Sequence, residues 1–240
     1  MTFHTMYNIV SKANDITVNF NPRDDMHKPE AIIFDWDNTL VDTNPHIEYA
    51  RNTTFNKFKT TESVAHEIMS STPSKQAFFA QFGDKKEESL LFFYEAYKAS
   101  TINGVEPITE ALALILAIKE AGIPMVVVSN KLNTLLNREI SFLGWNDHFE
   151  AIVGAKDTPY DKPFPHPVNL ALSKINIEAS NKVWFIGDST IDIQCALNTN
   201  CFPILFGDKS EFDAAQFTKH DIMHFDEHSG LKDFFAKVCK

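Results

Sequence analysis

Ala31-Ile32-Ile33-Phe34-Asp35-Trp36-Asp37-Asn38-Thr39-Leu40 is the stretch from which the fold can be read. Four consecutive apolar residues, three of them bulky, predict a short strand buried on both faces, the habit of parallel sheets rather than of half-exposed hairpins. The strand runs without a break into two carboxylates one residue apart. In an open parallel sheet, ligands bind beyond the carboxyl ends of the strands. The residues that follow each predicted strand are therefore the ones to compare.

From residue 105 onward, apolar runs alternate with helical patterns. Ile108–Ala121 reads as a helix ended by Gly122, and Pro124–Val128 as a buried strand. Lys131–Phe142 reads as a helix closed by Gly144, Ala151–Val153 as a strand and Pro167–Ile175 as a helix. Lys182–Ile186 reads as a strand, Ile191–Asn198 as a helix and Pro203–Phe206 as a last strand. Strands alternating with helices predict βαβ units and a parallel sheet. Beyond the strand ends come Asp35 and Asp37, then Ser129, Asn130 and Lys131, then a loop with Asp157, Asp161 and Lys162, then Gly187, Asp188 and Asp192. Carboxylates crowded together repel unless a cation neutralises them. Hard oxygen donors of this kind suit Mg²⁺, which shares its shell with substrate phosphate.

The segment between the first and second strands differs in texture. Residues 43–104 read as helical: Ile47, Ala50, Thr54, Phe55 and Phe58 recur at helical spacing behind Pro45. Asp84, with Glu87 three residues on, predicts a capping-box start for a second helix. Its basic and acidic residues balance, so the chain's excess of acid lies elsewhere. The expected organisation is an N-terminal extension at 1–30, a core of 31–42 with 105–240, and a separate helical module inserted at 43–104.

Composition limits the function. Among 240 residues, 22 Lys and Arg face 32 Asp and Glu, a formal charge of −10. That balance argues against nucleic-acid or anionic-membrane partners, which select clustered bases. Three cysteines without a C-x-x-C pair suggest a reducing compartment. With no apolar run near the ~20 residues that span a bilayer and no signal-like N-terminus, a cytoplasmic protein is expected.

The four strand-end clusters resemble, in order, the motifs of the haloacid dehalogenase superfamily. Asp35-Trp36-Asp37-Asn38-Thr39 is similar to its D-x-D-x-T signature, Ser129-Asn130-Lys131 to the second motif, Lys162-Pro163 to the third, and Gly187-Asp188-Ser189-Thr190-Ile191-Asp192 to G-D-x-x-x-D. The insertion at 43–104 is like the alpha-helical cap of phosphoglycolate phosphatase-type members. The resemblance implies a three-layer, Rossmann-like α/β core with an inserted helical cap domain. It also implies a Mg²⁺-dependent phosphatase acting on a small phosphorylated metabolite, with phosphoglycolate favoured.

The resemblance assigns roles residue by residue. Asp35 is implied as the nucleophile, forming an aspartyl-phosphate, and Asp37 as general acid and then base. Ser129 would hold the transferring oxygens and Lys162 offset the charge. Asp35, Asp37 (by its carbonyl), Asp188 and Asp192 would form the metal site. Thr39, Asn130 and Lys131 are the remaining substrate-side candidates, Thr39 by hydrogen-bonding the first loop. A carboxylate at Asp37 favours phosphatases over dehalogenases. A sugar-phosphate mutase or phosphotransferase is the alternative within the fold, and a non-catalytic binding protein the alternative outside its chemistry. Each cluster also has an ordinary use: Ser129-Asn130 as a helix cap, Asp188 and Asp192 as acids favoured by a helix dipole.

Overall fold

The computed structural model describes residues 26–59, 75–209, 212, 214–217 and 220–239. The expected N-terminal extension up to residue 25, and part of the helical segment at 60–74, lie outside these residues. The chain divides into two compact units, with boundaries between Asp42 and Thr43 and between Val105 and Glu106.

The larger unit is built on the strands β1 (Ala31–Phe34), β4 (Met125–Leu132), β5 (Ala151–Ala155), β6 (Val183–Gly187), β7 (Phe202–Phe206) and β8 (Met223–Phe225). All pair in parallel, in the order β5-β4-β1-β6-β7-β8. Every residue of β1 is buried, as its continuous apolar run requires. β1 lies between β4 and β6, in register through Ile33↔Val126 and Ile33↔Phe185. The chain extends the sheet in one direction from β1 to β4 and β5, then returns to extend it in the other. The crevice of a doubly wound sheet opens at such a reversal.

Alternation along the strands separates two cores. Ala31, Ile33, Val126, Val128, Val183 and Phe185 pack with Val168, Ala171, Leu172, Cys195 and Ala196. Those partners lie on the helices His166–Ser173 and Thr190–Asn198. On the opposite face Trp184 meets Phe234 and Phe235 of the helix His228–Val238, at ring-centroid distances of 5.9 and 6.4 Å. Helices on both faces make the three layers. Cys195 and Cys201 are buried and unpaired, and burial pushes the Cys195 thiol up to about 12, so it is packing rather than chemistry.

Two short strands form a separate ladder in this unit. β2 (Val41–Asp42) pairs antiparallel with β3 (Glu106–Pro107), Val41 opposite Pro107. Between them the chain forms the second unit, in which the helices Asn44–Phe58 and Lys86–Ser100 surround a phenylalanine core of Phe58, Phe78, Phe79 and Phe82. Pro45 stands in the first turn of Asn44–Phe58, where its missing N–H is harmless. The capping-box start at Asp84 is not formed: Asp84 lies in a 3-10 turn, Gly83–Lys85, and the helix begins at Lys86 without a side-chain cap. Lys131 also departs from expectation, since β4 continues through Leu132 and the helix spans Asn133–Phe142.

His228 is fully buried, with its ring 4.1 Å from that of Phe206 and Nδ1 3.3 Å from the Thr109 carbonyl. Burial lowers its pKa from 6.5 to about 4. Below 6.5 the unfolded chain therefore takes up a proton that the folded chain refuses, and stability falls as the pH drops from 6.5 to 4. The expected loss reaches about 3 kcal/mol. Urea unfolding at pH 7 and pH 5 should show a steeper decline for the wild type than for a His228→Leu variant. Parallel slopes would remove His228 as the cause.

Candidate active site

The site begins where β1 ends. Asp35 N–H still donates to the Ile186 carbonyl at 2.9 Å, so the first carboxylate is aligned by the sheet itself. The chain then turns back tightly: Asn38 N–H donates to Val41 O (2.8 Å) and Leu40 N–H to Trp36 O (3.0 Å). Asn38 at the bend has φ 55°, in the left-handed region that asparagine tolerates better than most residues. Thr39 departs from expectation. It is fully buried and, among the described residues, its hydroxyl meets no hydrogen-bonding partner, so the bond expected to support the first loop is not formed.

Lys162 is the hub. Its ammonium, almost fully buried, donates to Asp35 Oδ1 (2.6 Å), Asp192 Oδ1 (2.7 Å) and the Val128 carbonyl (2.8 Å). Three donors have three acceptors, drawn from the end of β1, from within β4 and from the helix Thr190–Asn198. Burial alone would lower the Lys162 pKa, but Asp192 and Asp35 outweigh it and raise it, so the charge is permanent. Asn130 holds the hub from behind. Its amide nitrogen donates to the Lys162 carbonyl and its oxygen accepts from the Lys162 N–H, both at 2.9 Å. Asn130, expected on the substrate side, makes these bonds as a clamp on Lys162. Ser129, at 3% exposure, lies one residue earlier and its hydroxyl accepts from Lys131 N–H at 3.2 Å.

Asp192 is fixed from two sides. Besides Lys162, its Oδ2 accepts from the Ser189 N–H (3.1 Å) and hydroxyl (2.5 Å), closing a capping box at the start of Thr190–Asn198. The cap is therefore Ser189, with Asp192 as its partner, and Asp188 stands outside this arrangement. Gly187 permits the fit: a Cβ there would overlap Asp192 Cβ and Cγ. Gly187→Ala should displace Asp192, destabilise the protein by about 1–3 kcal/mol and depress turnover. A thermal melt unchanged from wild type would contradict the overlap.

Carboxylate oxygens of Asp35, Asp188 and Asp192 lie within 4.8 Å of one another. Burial pushes Asp35 up to about 7; Lys162 opposes this, while Asp192 and Asp37 add to it. Burial, then Asp192 and Asp35, also raise Asp188 well above the usual carboxylate range. A single ammonium does not neutralise this group. An all-oxygen, under-neutralised donor set fits a hard divalent cation, which would relieve the repulsion.

Lys131, expected on the substrate side, is buried and held within the protein. Its Nζ lies 2.6 Å from Asp37 Oδ1 and 2.6 Å from Glu139 Oε2. Glu139, at 1% exposure on Asn133–Phe142, also accepts from Trp36 Nε1 at 2.8 Å. Glu139, and the bond Trp36 makes to it, were not legible in sequence, whereas the packing of Trp36 beside the site was expected. A glutamate amid Leu135, Leu136 and Ile140 is the one signal that could have drawn notice.

A profile of the haloacid dehalogenase-like hydrolases matches residues 32–206. Phosphoglycolate phosphatase of Neisseria gonorrhoeae is 29% identical over 191 residues, covering 73% of this chain and 78% of that protein. Pyrophosphatase PpaX of Bacillus velezensis is 26% identical over 173 residues, 70% of this chain and 78% of its own. The crystal structure of a haloacid dehalogenase-superfamily hydrolase from Ehrlichia chaffeensis superposes with a TM-score of 0.61 at 29% identity, covering 90% of this chain and 100% of that one. With the four strand-end clusters converging on one buried lysine, the matched span covers the whole site, and the chain belongs to the haloacid dehalogenase-like hydrolase family.

Proposed function

We propose that the protein is a Mg²⁺-dependent phosphatase that hydrolyses a small phosphomonoester through an aspartyl-phosphate on Asp35, with a phosphoglycolate-like substrate favoured. The observation that carries this is the position of Asp35: one oxygen on the Lys162 ammonium, the carboxylate beside Asp188 and Asp192, and Asp37 two residues on at the same strand end. The Neisseria relative supports the substrate class. The PpaX relative makes inorganic pyrophosphate the second candidate.

Asp35 attacks phosphorus, the P–O bond to the leaving group breaks, and Asp37 donates a proton to the departing oxygen. Asp37 then takes a proton from the water that cleaves the acyl phosphate. Ser129 holds the phosphoryl oxygens, Lys162 offsets the charge of Asp35 and of the phosphoryl group, and Asn130 keeps Lys162 in place. Asp35, Asp188 and the Asp37 carbonyl would hold the metal, with Asp192 orienting them. Bound Mg²⁺ would neutralise this cluster and offset charge developing on the phosphoryl group.

We assign the unit Thr43–Val105 to substrate choice, as a cap, because every residue given a chemical role lies outside it. Exchanging it for the corresponding segment of a PpaX relative should shift relative kcat/KM among esters by factors of about ten, the ~1–3 kcal/mol of pocket contacts. Equal loss on all substrates in a folded chimera would make the cap part of the catalytic apparatus. The overall function is tested by hydrolysis of p-nitrophenyl phosphate, phosphoglycolate, sugar phosphates and pyrophosphate, each with and without Mg²⁺. Phosphoglycolate is expected to give the highest kcat/KM. No hydrolysis of any of them would favour a non-catalytic role.

A further inference from the structure

Glu139 is a buried carboxylate that the mechanism above does not use. Its Oε2 joins two donors: Lys131 Nζ at 2.6 Å and Trp36 Nε1 at 2.8 Å. Lys131 in turn reaches Asp37 Oδ1 at 2.6 Å. Trp36 and Asp37 are consecutive residues, so these contacts form a closed ring from the Asp37 carboxylate through Lys131, Glu139 and the indole back to the Asp37 backbone. The indole cannot yield easily, being fully buried edge-on to Trp145 and Phe149 at centroid distances of 5.9 and 6.5 Å. Glu139 cannot yield either, because a buried carboxylate stripped of its cation is strongly destabilising.

We propose that Glu139, acting through Lys131 and Trp36, is a positioning residue that holds the Asp37 carboxylate where it meets the leaving oxygen. The proposal rests on Asp37 being the proton donor, as assigned above. Lys131, an ammonium on a flexible stem, would by itself leave Asp37 a range of orientations. Fixed at its other side by Glu139, it constrains where that carboxylate lies. A helix residue far along the chain from the signature thereby enters the reaction without touching substrate.

A group that serves proton donation matters most when the leaving oxygen is a poor leaving group. The readout is kcat/KM, which reports P–O cleavage, across aryl phosphates of graded leaving-group acidity and one alkyl phosphate, for wild type, Glu139→Gln and Asp37→Asn. Glu139→Gln should lose about 10- to 100-fold on the alkyl phosphate, the effect of a catalytic group misplaced by about 1 Å, and far less on p-nitrophenyl phosphate. Asp37→Asn should show the same gradient, more steeply. Adding Glu139→Gln to Asp37→Asn should cost little further, because both act on one group. If Glu139→Gln does not fold, the double variant Lys131→Met/Glu139→Leu replaces the buried pair by apolar groups and should show the same gradient.

Loss equal across all esters, no loss, or full additivity with Asp37→Asn would overturn the inference, leaving Glu139 a structural tie. A flat series for Asp37→Asn itself would count instead against Asp37 as the proton donor.

Discussion

Asp35→Asn is expected to lower kcat on phosphomonoesters by at least ~10⁴-fold, the scale of losing a covalent nucleophile, while leaving the fold intact. The amide keeps the shape of the side chain and can still accept from Lys162. It removes a charge that burial, Asp192 and Asp37 together oppose more than Lys162 favours it. In metal-free protein above pH 7, where Asp35 is ionised, the melting temperature of the variant should therefore equal or exceed that of wild type. Rapid-quench labelling with a ³²P-ester should trap a phosphoenzyme in wild type and none in the variant. Hydrolysis within tenfold of wild type, in a preparation free of wild-type protein, would remove Asp35 from the nucleophile's role.

Metal removal is expected to give the second large effect. Dialysis against EDTA should reduce hydrolysis more than 100-fold, and Mg²⁺ should restore it. Binding also has a readout independent of turnover. A ligand at 100 times its Kd stabilises the folded state by ~2.7 kcal/mol, so saturating Mg²⁺ should raise the melting temperature by several degrees. Asp188→Ala deletes the carboxylate that neither Lys162 nor the Ser189 cap is seen to hold. It should abolish most of that shift and cut activity with it. A full Mg²⁺ shift in Asp188→Ala would move the metal elsewhere.

The strand ends were legible because both of their signals are local. A continuous apolar run announces a strand buried on both faces, and the polar residues that interrupt it must lie at its tip. β1, β6 and β7 accordingly fall within a residue of expectation, and Asp35, Lys162, Asp188 and Asp192 converge as their strand ends imply. Elements that depend on partners distant in sequence were not legible. β2 and β3, two residues each, exist only because they pair with one another. Asp84 looked like a cap, but a 3-10 turn preempted it. Asn130, Lys131 and Thr39 had the right residue types for substrate contact, yet two are engaged with Lys162, Asp37 and Glu139, and Thr39 is sealed inside. Hydrogen-bonding capacity can be read from a residue's type, whereas its partner is settled by packing.

The β2–β3 ladder has a consequence for how such a protein can diversify. The excursion from Thr43 to Val105 leaves and rejoins the sheet-bearing unit at strands that are hydrogen-bonded to each other, so its two ends are tied whatever lies between. The entropy of closing a chain segment grows only with the logarithm of its length, about 0.6 kcal/mol for each doubling. Extending or replacing the excursion therefore adds a cost well below the net stability of an ordinary domain, and none of the contacts around Lys162 need change. Insertions between β2 and β3 can be tolerated at a length where the same insertion directly after β6 would displace Asp188. The ladder thus separates the part of the chain free to vary from the part held by the chemistry.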